Sequence, residues 1–530
     1  MIPAPEPLFP DVLRLHGRWR AKKPALSCGD VTLTWAEFDR RTEQVANGVA
    51  ALGLGRGDCV AVLMQNGLEM AEVLFGVVKS GACVVPLNLA VTDDGIEGML
   101  RDCGARAVFA SESQRARLDA MHARLPQLLE LGAVLVSEAV DAGATRVGAA
   151  AWQSYRRWRD AQSAVPCAAA IAPDDPCNLI YSSGTTALPK GIVHGHRRRL
   201  AWAYDVGLAL RYQSNAVTLL SIGLYSNISW AGMLCTFLAG GHVVVMEKFE
   251  AGDWLAHVER WSATHATMVP IGYQRIVEHP EFARYDVGSM RSMMSCGSPL
   301  QGPLKKRLVE AFGCEIVELY GLTEGIITTL DPEDVGSKLA SVGKPAVGTD
   351  LRILGDDDRP VPPGVPGEIV GLSRFVMNGY HGRPDATREA TWVDEHGRTW
   401  LRTGDVGQLD EDGYLYIVDR KKDMILSGGQ NIYPADLEAV LVRHPAVFDV
   451  AVIGVPHADW GETPLALVVL RDGHPVEAEA LRAWANERLG RQQRLSGLEF
   501  RTELPRNPNG KLLKRELRAP YWPTRGSTAA

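Results

Sequence analysis

Tyr181-Ser-Ser-Gly-Thr-Thr-Ala-Leu-Pro-Lys-Gly191 follows directly on the apolar Asn178-Leu-Ile, a placement that predicts a strand running into a loop of hydroxyls, one glycine and one lysine. Such a loop suits a polyphosphate. Gly184 lets the backbone approach closely, Ser182, Ser183, Thr185 and Thr186 supply neutral donors, and Lys190 adds a charge that need not be directional. A plain Ser/Thr/Gly turn is the competing reading of the segment taken alone. Pro189 before Lys190 and Gly191 after it break the Gly-x-x-x-x-Gly-Lys-Ser/Thr order, so a Walker-type kinase or motor is not indicated.

Outward from this loop, short apolar runs such as Cys59-Val-Ala-Val-Leu-Met and Ala82-Cys-Val-Val-Pro-Leu alternate with helix-compatible segments, Trp35 to Leu52 and Leu68 to Lys79. That is the rhythm of βαβ units. It continues through Val217 to Ile222, Val243 to Met246 and Met293 to Ser295, and predicts a large α/β body. From about Val347, strands separated by turns (Leu351-Arg-Ile-Leu, Gly367-Glu-Ile-Val) predict a β-rich subdomain. After Asp419 a charged cluster, Arg420-Lys421-Lys422-Asp423, precedes a small α+β unit. The division is thus 1–419, a joint at 420–422, and 423–530.

The 530 residues exceed what one core supports, and the net charge of −7 carries no basic excess for nucleic acid or an anionic membrane surface. Nine cysteines without a Cys-x-x-Cys pair, and a proline-bearing N-terminus without a signal pattern, predict a reduced cytoplasmic protein with no metal–thiolate framework. Tyr212 to Met246 lacks Asp, Glu, Lys and Arg and is long enough to span a bilayer. Ser221, Tyr225, Ser226, Asn227 and Ser229 interrupt it, which favours a buried core segment over an integral membrane span.

Five more segments recur in order: Tyr320-Gly-Leu-Thr-Glu324, Leu401-Arg-Thr-Gly-Asp405, Asp419-Arg-Lys-Lys-Asp423, Ser427-Gly-Gly-Gln-Asn431 and Pro505-Arg-Asn-Pro-Asn-Gly-Lys511. With the phosphate loop they resemble the adenylate-forming superfamily of acyl-CoA synthetases, luciferases and peptide-synthetase adenylation domains, over about Ala25 to Arg515. The resemblance implies an AMP-forming acid–thiol ligase using ATP, Mg²⁺ and coenzyme A. Glu324 would hold Mg²⁺, Thr323 would contact the α-phosphate, and Thr185, Thr186 and Lys190 would manage the β- and γ-phosphates. Asp405 and Arg420 would meet the ribose, and Tyr320 with Gly321 the adenine. The turn with Gly297 and Ser298 resembles the family's adenine and acyl-site turn, although Cys296 and Ser298 depart from its usual residues. Lys511 would bridge the substrate carboxylate and the α-phosphate, Lys422 would be the pivot of the small domain, and Gly428 with Gly429 would leave room for the pantetheine arm.

By the same resemblance Tyr225, Ser226, Trp230, Val269, Ile271, Cys296, Leu322, Ile326 and Ile327 would line the acyl pocket. Their lack of charge favours an aromatic, alicyclic or medium-chain acid. Ser226 stands where many relatives have histidine and amino-acid-activating ones aspartate. Ala187 replaces a usual glycine. Arg197-Arg198-Arg199 admits two readings, a contact to a coenzyme A phosphate and a solvated helix face, the second favoured. A ligase loading a separate carrier protein and, more remotely, a luciferase-like oxygenase are the alternatives. Candidate macromolecular partners are a second copy of the chain and an acetyltransferase acting at Lys511.

Overall fold

The computed structural model describes residues 7–121, 124–125, 135–137, 146–147, 150–181, 189–420, 423–427, 430–457, 460–490, 493–506 and 512–522. The apolar runs read from the sequence are strands. Cys59–Leu63 and Cys83–Pro86 are buried at every position and pair in parallel, Cys59 opposite Cys83. Continuous burial of this kind needs a covering layer on both faces of a sheet. Helix Leu68–Ser80 supplies part of that layer and touches strands of both large sheets, so it is buried almost all round. Its two charged core residues are paired: Glu72 takes Arg41 and Arg159, and Lys79 takes Glu43. Helix Trp35–Ala51 begins at a reciprocal cap between Thr34 and Glu37, a device contributing about 1 kcal/mol.

Among the described residues two nine-stranded sheets form the body. In the first, Pro24–Cys28, His242–Val245, Val217–Leu220, His265–Met268, Ser292–Ser295 and Glu315–Gly321 run parallel in that spatial order. Ile327–Leu330 returns antiparallel to Glu315–Gly321. In the second sheet Pro176–Tyr181 and Gly191–Gly195 are antiparallel neighbours, Tyr181 opposite Gly191, which puts the phosphate-loop sequence between them. The stretch Tyr212 to Met246 divides into strand Val217–Leu220, helix Asn227–Ala239 and strand His242–Val245. Among the described residues no helix is long and apolar enough to cross a membrane.

The texture change near Val347 is real. Thr349–Leu354, Gly367–Ser373, Thr399–Leu409 and Leu415–Arg420 form an antiparallel sheet with its own apolar core. Beyond residue 423, strands Ile425–Ser427, Gln430–Ile432, Val447–His457, Gly461–Leu470 and Gly497–Phe500 carry helices Pro434–Leu441 and Ala478–Asn486 over a separate core of Ile425, Leu437, Val452, Val468 and Leu481. The chain is thus a large α/β body bearing a β-rich sheet, followed by a small α+β domain.

Candidate active site

In a parallel sheet the loops leaving the carboxyl ends of neighbouring strands converge, and ligands bind there. The first sheet sends four such loops to one edge. They begin at Ser221, Val269, Cys296 and after Gly321; the loops hold Tyr225, Ser226, Val269, Cys296, Gly297, Ser298, Leu322, Thr323, Glu324 and Ile326, while Trp230, Ile271, Tyr320 and Ile327 lie on the helices and strands that flank them.

The Tyr320–Glu324 motif is the end of one strand and the turn back into the next, with Tyr320 opposite Thr328 and Gly321 opposite Ile327. A side chain at Gly321 would collide with the Ile326 carbonyl. Gly325 adopts φ +115° and lies so close to Phe375 and Val376 that a Cβ would stand 2.6 Å from their backbone. The segment after Gly367–Ser373 clamps this turn: Met377 N donates to the Glu324 carbonyl at 2.7 Å and Ser373 Oγ to the Gly325 carbonyl at 2.7 Å. The turn is therefore held on both sides, and the Glu324 carboxylate inherits that fixity.

Three side chains distant in sequence meet there. Tyr380 Oη donates to Glu324 Oε1 at 3.0 Å, and Lys190 Nζ stands over the Tyr380 ring, 4.6 Å from its centre. Burial and the Glu324 carboxylate push the Tyr380 phenol upward, so it keeps its proton and donates. Tyr320 Oη donates to Asp405 Oδ2 at 2.8 Å, which ties the hairpin to strand Thr399–Leu409, where Asp405 is buried and its Cα faces Arg420. A buried carboxylate with hydroxyl partners matches a ribose diol. Among the described residues no three His, Cys, Asp or Glu side chains form a metal cage. Glu324, a single half-buried carboxylate, fits Mg²⁺, which keeps waters and takes its other ligands from substrate phosphates.

On the acyl side, Asn66 pins the loop after Val217–Leu220, its amide nitrogen donating to the Ile222 and Met246 carbonyls and its oxygen accepting from Leu224 N. Ser226 is buried and caps helix Asn227–Ala239, accepting from Ile228 N at 3.3 Å; its hydroxyl thus has a structural task. Trp230, on the same helix, donates from its indole to the Leu224 carbonyl and stacks against Phe75. Cys296 is a packing residue, its thiol pushed up to about 12 by burial. Ile326 and Ile327 are core residues and Val269 is nearly so, whereas Tyr225, Ile271 and Leu322 are half-buried.

Several named residues have no place in this geometry. Ser182, Ser183, Gly184, Thr185, Thr186, Lys422, Gly428, Gly429 and Lys511 lie outside the described residues, and Arg420 is described for its backbone only. The solvated-face reading of the arginine triplet needs correction. Arg197 is exposed, but Arg198 donates to the Val376 and Met377 carbonyls and so braces the Glu324 clamp, and Arg199 is buried. Sequence reasoning passed over Tyr380, for which no motif speaks. It also passed over His194, a buried ring linked to the Thr323 backbone and held well below its usual pKa by desolvation and by Arg199.

This geometry agrees with kinship. Residues 15–381 match the AMP-binding enzyme family and residues 436–511 the AMP-binding enzyme C-terminal domain. The chain belongs to that family, the adenylate-forming acyl-CoA synthetases. It is accordingly an ATP-dependent acid–thiol ligase, whose small-molecule substrates are a carboxylic acid, ATP and coenzyme A. A feruloyl-CoA synthase of Amycolatopsis sp is 36% identical over 516 residues, covering 95% of this chain and 98% of that one. A fatty acid–[acyl-carrier-protein] ligase of Streptomyces coeruleorubidus is 33% identical over 518 residues, covering 96% and 95%. The crystal structure of an anthranilate CoA ligase in complex with anthranoyl-AMP superposes with a TM-score of 0.88 at 28% identity, covering 97% of each chain.

Proposed function

We propose that the meeting of Lys190, Tyr320, Glu324, Tyr380 and Asp405 at one sheet edge is the ATP site of the first half-reaction. There a substrate carboxylate attacks the α-phosphate, forming acyl-AMP and releasing pyrophosphate. The observation that carries this is the pair of bonds Tyr320–Asp405 and Tyr380–Glu324, which join residues more than fifty positions apart in the chain. Two anions must approach in line, so the protein's task is to neutralise and orient them. Asp405 and Tyr320 fix the nucleoside, Thr323 donates to the α-phosphate, and Lys190 and Lys511 supply cations. Glu324 would hold Mg²⁺, which contributes positive charge to the phosphates when bound.

In the second half-reaction the thiol sulfur of coenzyme A attacks the acyl carbon, the bond to AMP breaks, and the thiol proton is lost. The domain following residues 420–422 would turn about Lys422, withdrawing Lys511 and bringing in Gly428 and Gly429. The uncharged side chains around Tyr225, Trp230, Ile271 and Leu322 support an aryl or other largely apolar acid, and the feruloyl- and anthraniloyl-activating relatives point the same way.

The carrier-protein ligase among the relatives keeps a second acceptor in play. Incubating the purified chain with aryl acids, ATP, Mg²⁺ and either coenzyme A or a pantetheinylated carrier protein decides between them. Acyl-CoA and AMP are expected; thioester on the carrier alone would transfer the reading to that acceptor. All nine cysteines are free thiols, which supports a cytoplasmic location. Homodimer formation and acetylation of Lys511 remain proposals, read by light scattering and by mass spectrometry with activity measured before and after deacetylation.

A further inference from the structure

Four cationic side chains are buried among the described residues: Lys79, Arg159, Arg199 and Lys305. Three have carboxylate partners, Glu43, Glu72 and Glu318 respectively. Arg199, 1% exposed, has none. Its guanidinium lies against the rings of Trp202 and Trp230, 4.9 and 5.4 Å from their centres. Its Nε donates to Asn178 Oδ1 at 2.8 Å and its Nη1 to Asn227 Oδ1 at 2.9 Å. A guanidinium only donates, so both asparagines must turn their oxygens toward it. That leaves Asn178 Nδ2 as a second donor facing elsewhere, and both it and Arg199 Nη2 are buried without an acceptor.

Among the described residues no neighbour supplies the compensating negative charge. The Cys177 thiol is pushed up to about 12 by burial and stays neutral, and His194 is held neutral by desolvation and by Arg199 itself. Burial pulls the Arg199 guanidinium down to about 9, which still leaves it protonated at neutral pH. A buried, uncompensated cation with spare donors is costly unless a ligand completes it. Its surroundings say which ligand. Asn227 opens the helix that Ser226 caps, and Trp230 lies on the same helix; both Ser226 and Trp230 belong to the acyl-pocket wall in the reading above. The reacting carboxylate belongs near Thr323, and His194 is linked to the Thr323 backbone and feels the charge of Arg199.

We propose that Arg199 Nη2 and Asn178 Nδ2 form a polar subsite of the acyl pocket, which takes an acceptor oxygen of the bound acid other than its reacting carboxylate. The substrate is then an otherwise apolar acid with a second carboxylate or a comparable accepting oxygen. This rests on the acyl-pocket assignment of Ser226 and Trp230, and it refines the wholly apolar acid read from the pocket list.

The test measures kcat/KM for acid-dependent pyrophosphate release by the full chain. The substrates are pairs of aryl acids matched in size, one member bearing a distal carboxylate or hydroxyl. The wild type is expected to prefer the acceptor-bearing member of at least one pair by roughly 10- to 100-fold. Arg199→Met should bring that ratio near one, and Arg199→Lys should restore part of it. A wild-type ratio near one in every pair overturns the proposal whether or not the variants fold. So does an unchanged ratio in Arg199→Met, with equal loss for both members, because Arg199 would then serve the reacting carboxylate or the fold alone. Absence of pyrophosphate release with any acid would instead strike the adenylation reading, and this proposal with it.

Discussion

In the proposed ATP site the buried bond between Tyr320 and Asp405 would serve as both scaffold and ligand contact. Replacing Asp405 by Ala removes a charged acceptor for the ribose and leaves the Tyr320 phenol without its partner, so KM for ATP should rise roughly 10- to 100-fold. Tyr320→Phe removes only the tether and should cost about fivefold, in line with ~1 kcal/mol for a neutral hydrogen bond. ATP titrations of the two variants check the order; a larger defect in Tyr320→Phe would contradict it. Glu324→Gln keeps the Tyr380 bond but loses the charge for Mg²⁺, and kcat should fall at least about 100-fold. Raising Mg²⁺ should recover part of the loss; full activity at ordinary Mg²⁺ would remove Glu324 from the site.

The strand–loop–strand elements that carry these residues were legible because apolar runs and glycines mark them. The run before Tyr181 and the run ending at Ser295 lie where the pattern put them, whereas the hairpin around Leu322 was marked only by the motif Tyr320–Glu324. Arg199 was misread because a triplet of arginines looks like a solvated face. The helical period told otherwise: His196, Arg199, Leu200, Ala203 and Val206 share the buried face of helix His196–Ala209. Tyr380 was invisible for another reason. It reaches Glu324 only because Gly379–Tyr380 pairs across the sheet with Ile192 and Val193, a contact nearly 190 residues long in sequence. The Gly325 turn yields a prediction at this scale. With φ +115° and no room for a Cβ, Gly325→Ala should destabilise the protein by about 1–3 kcal/mol and lower activity by displacing Glu324. Thermal unfolding checks it, and a wild-type Tm would show that the clamp gives way freely.

Across the whole molecule, burial has left several histidines unable to carry charge. His196, His242 and His265 are each held down to about 4 by desolvation, and His194 is held well below its usual value by desolvation and by Arg199. A histidine whose folded pKa is depressed binds its proton more readily when unfolded, so stability is retained above about pH 6.5 and lost as pH falls toward 4. Each such group adds a slope of at most ~1.4 kcal/mol per pH unit in that window. Tm should therefore drop clearly between pH 7 and pH 5; a flat or rising Tm would contradict the neutral assignments. The division into body and small domain makes a second prediction at this scale. Lys511→Ala should cut acyl-AMP formation by two orders of magnitude or more, about the loss of one transition-state charge contact, while supplied acyl-AMP is still converted to thioester. Equal losses in both assays would refute the separation of roles.

The chemistry itself is tested most directly by a single turnover without thiol, in which enzyme, acid, ATP and Mg²⁺ are quenched and the products identified by mass. Acyl-AMP and pyrophosphate in equal amounts, with no acyl group attached to the polypeptide, are the predicted products. ADP and phosphate, or an acyl group carried covalently on the chain, would contradict adenylation by charge neutralisation at this sheet edge.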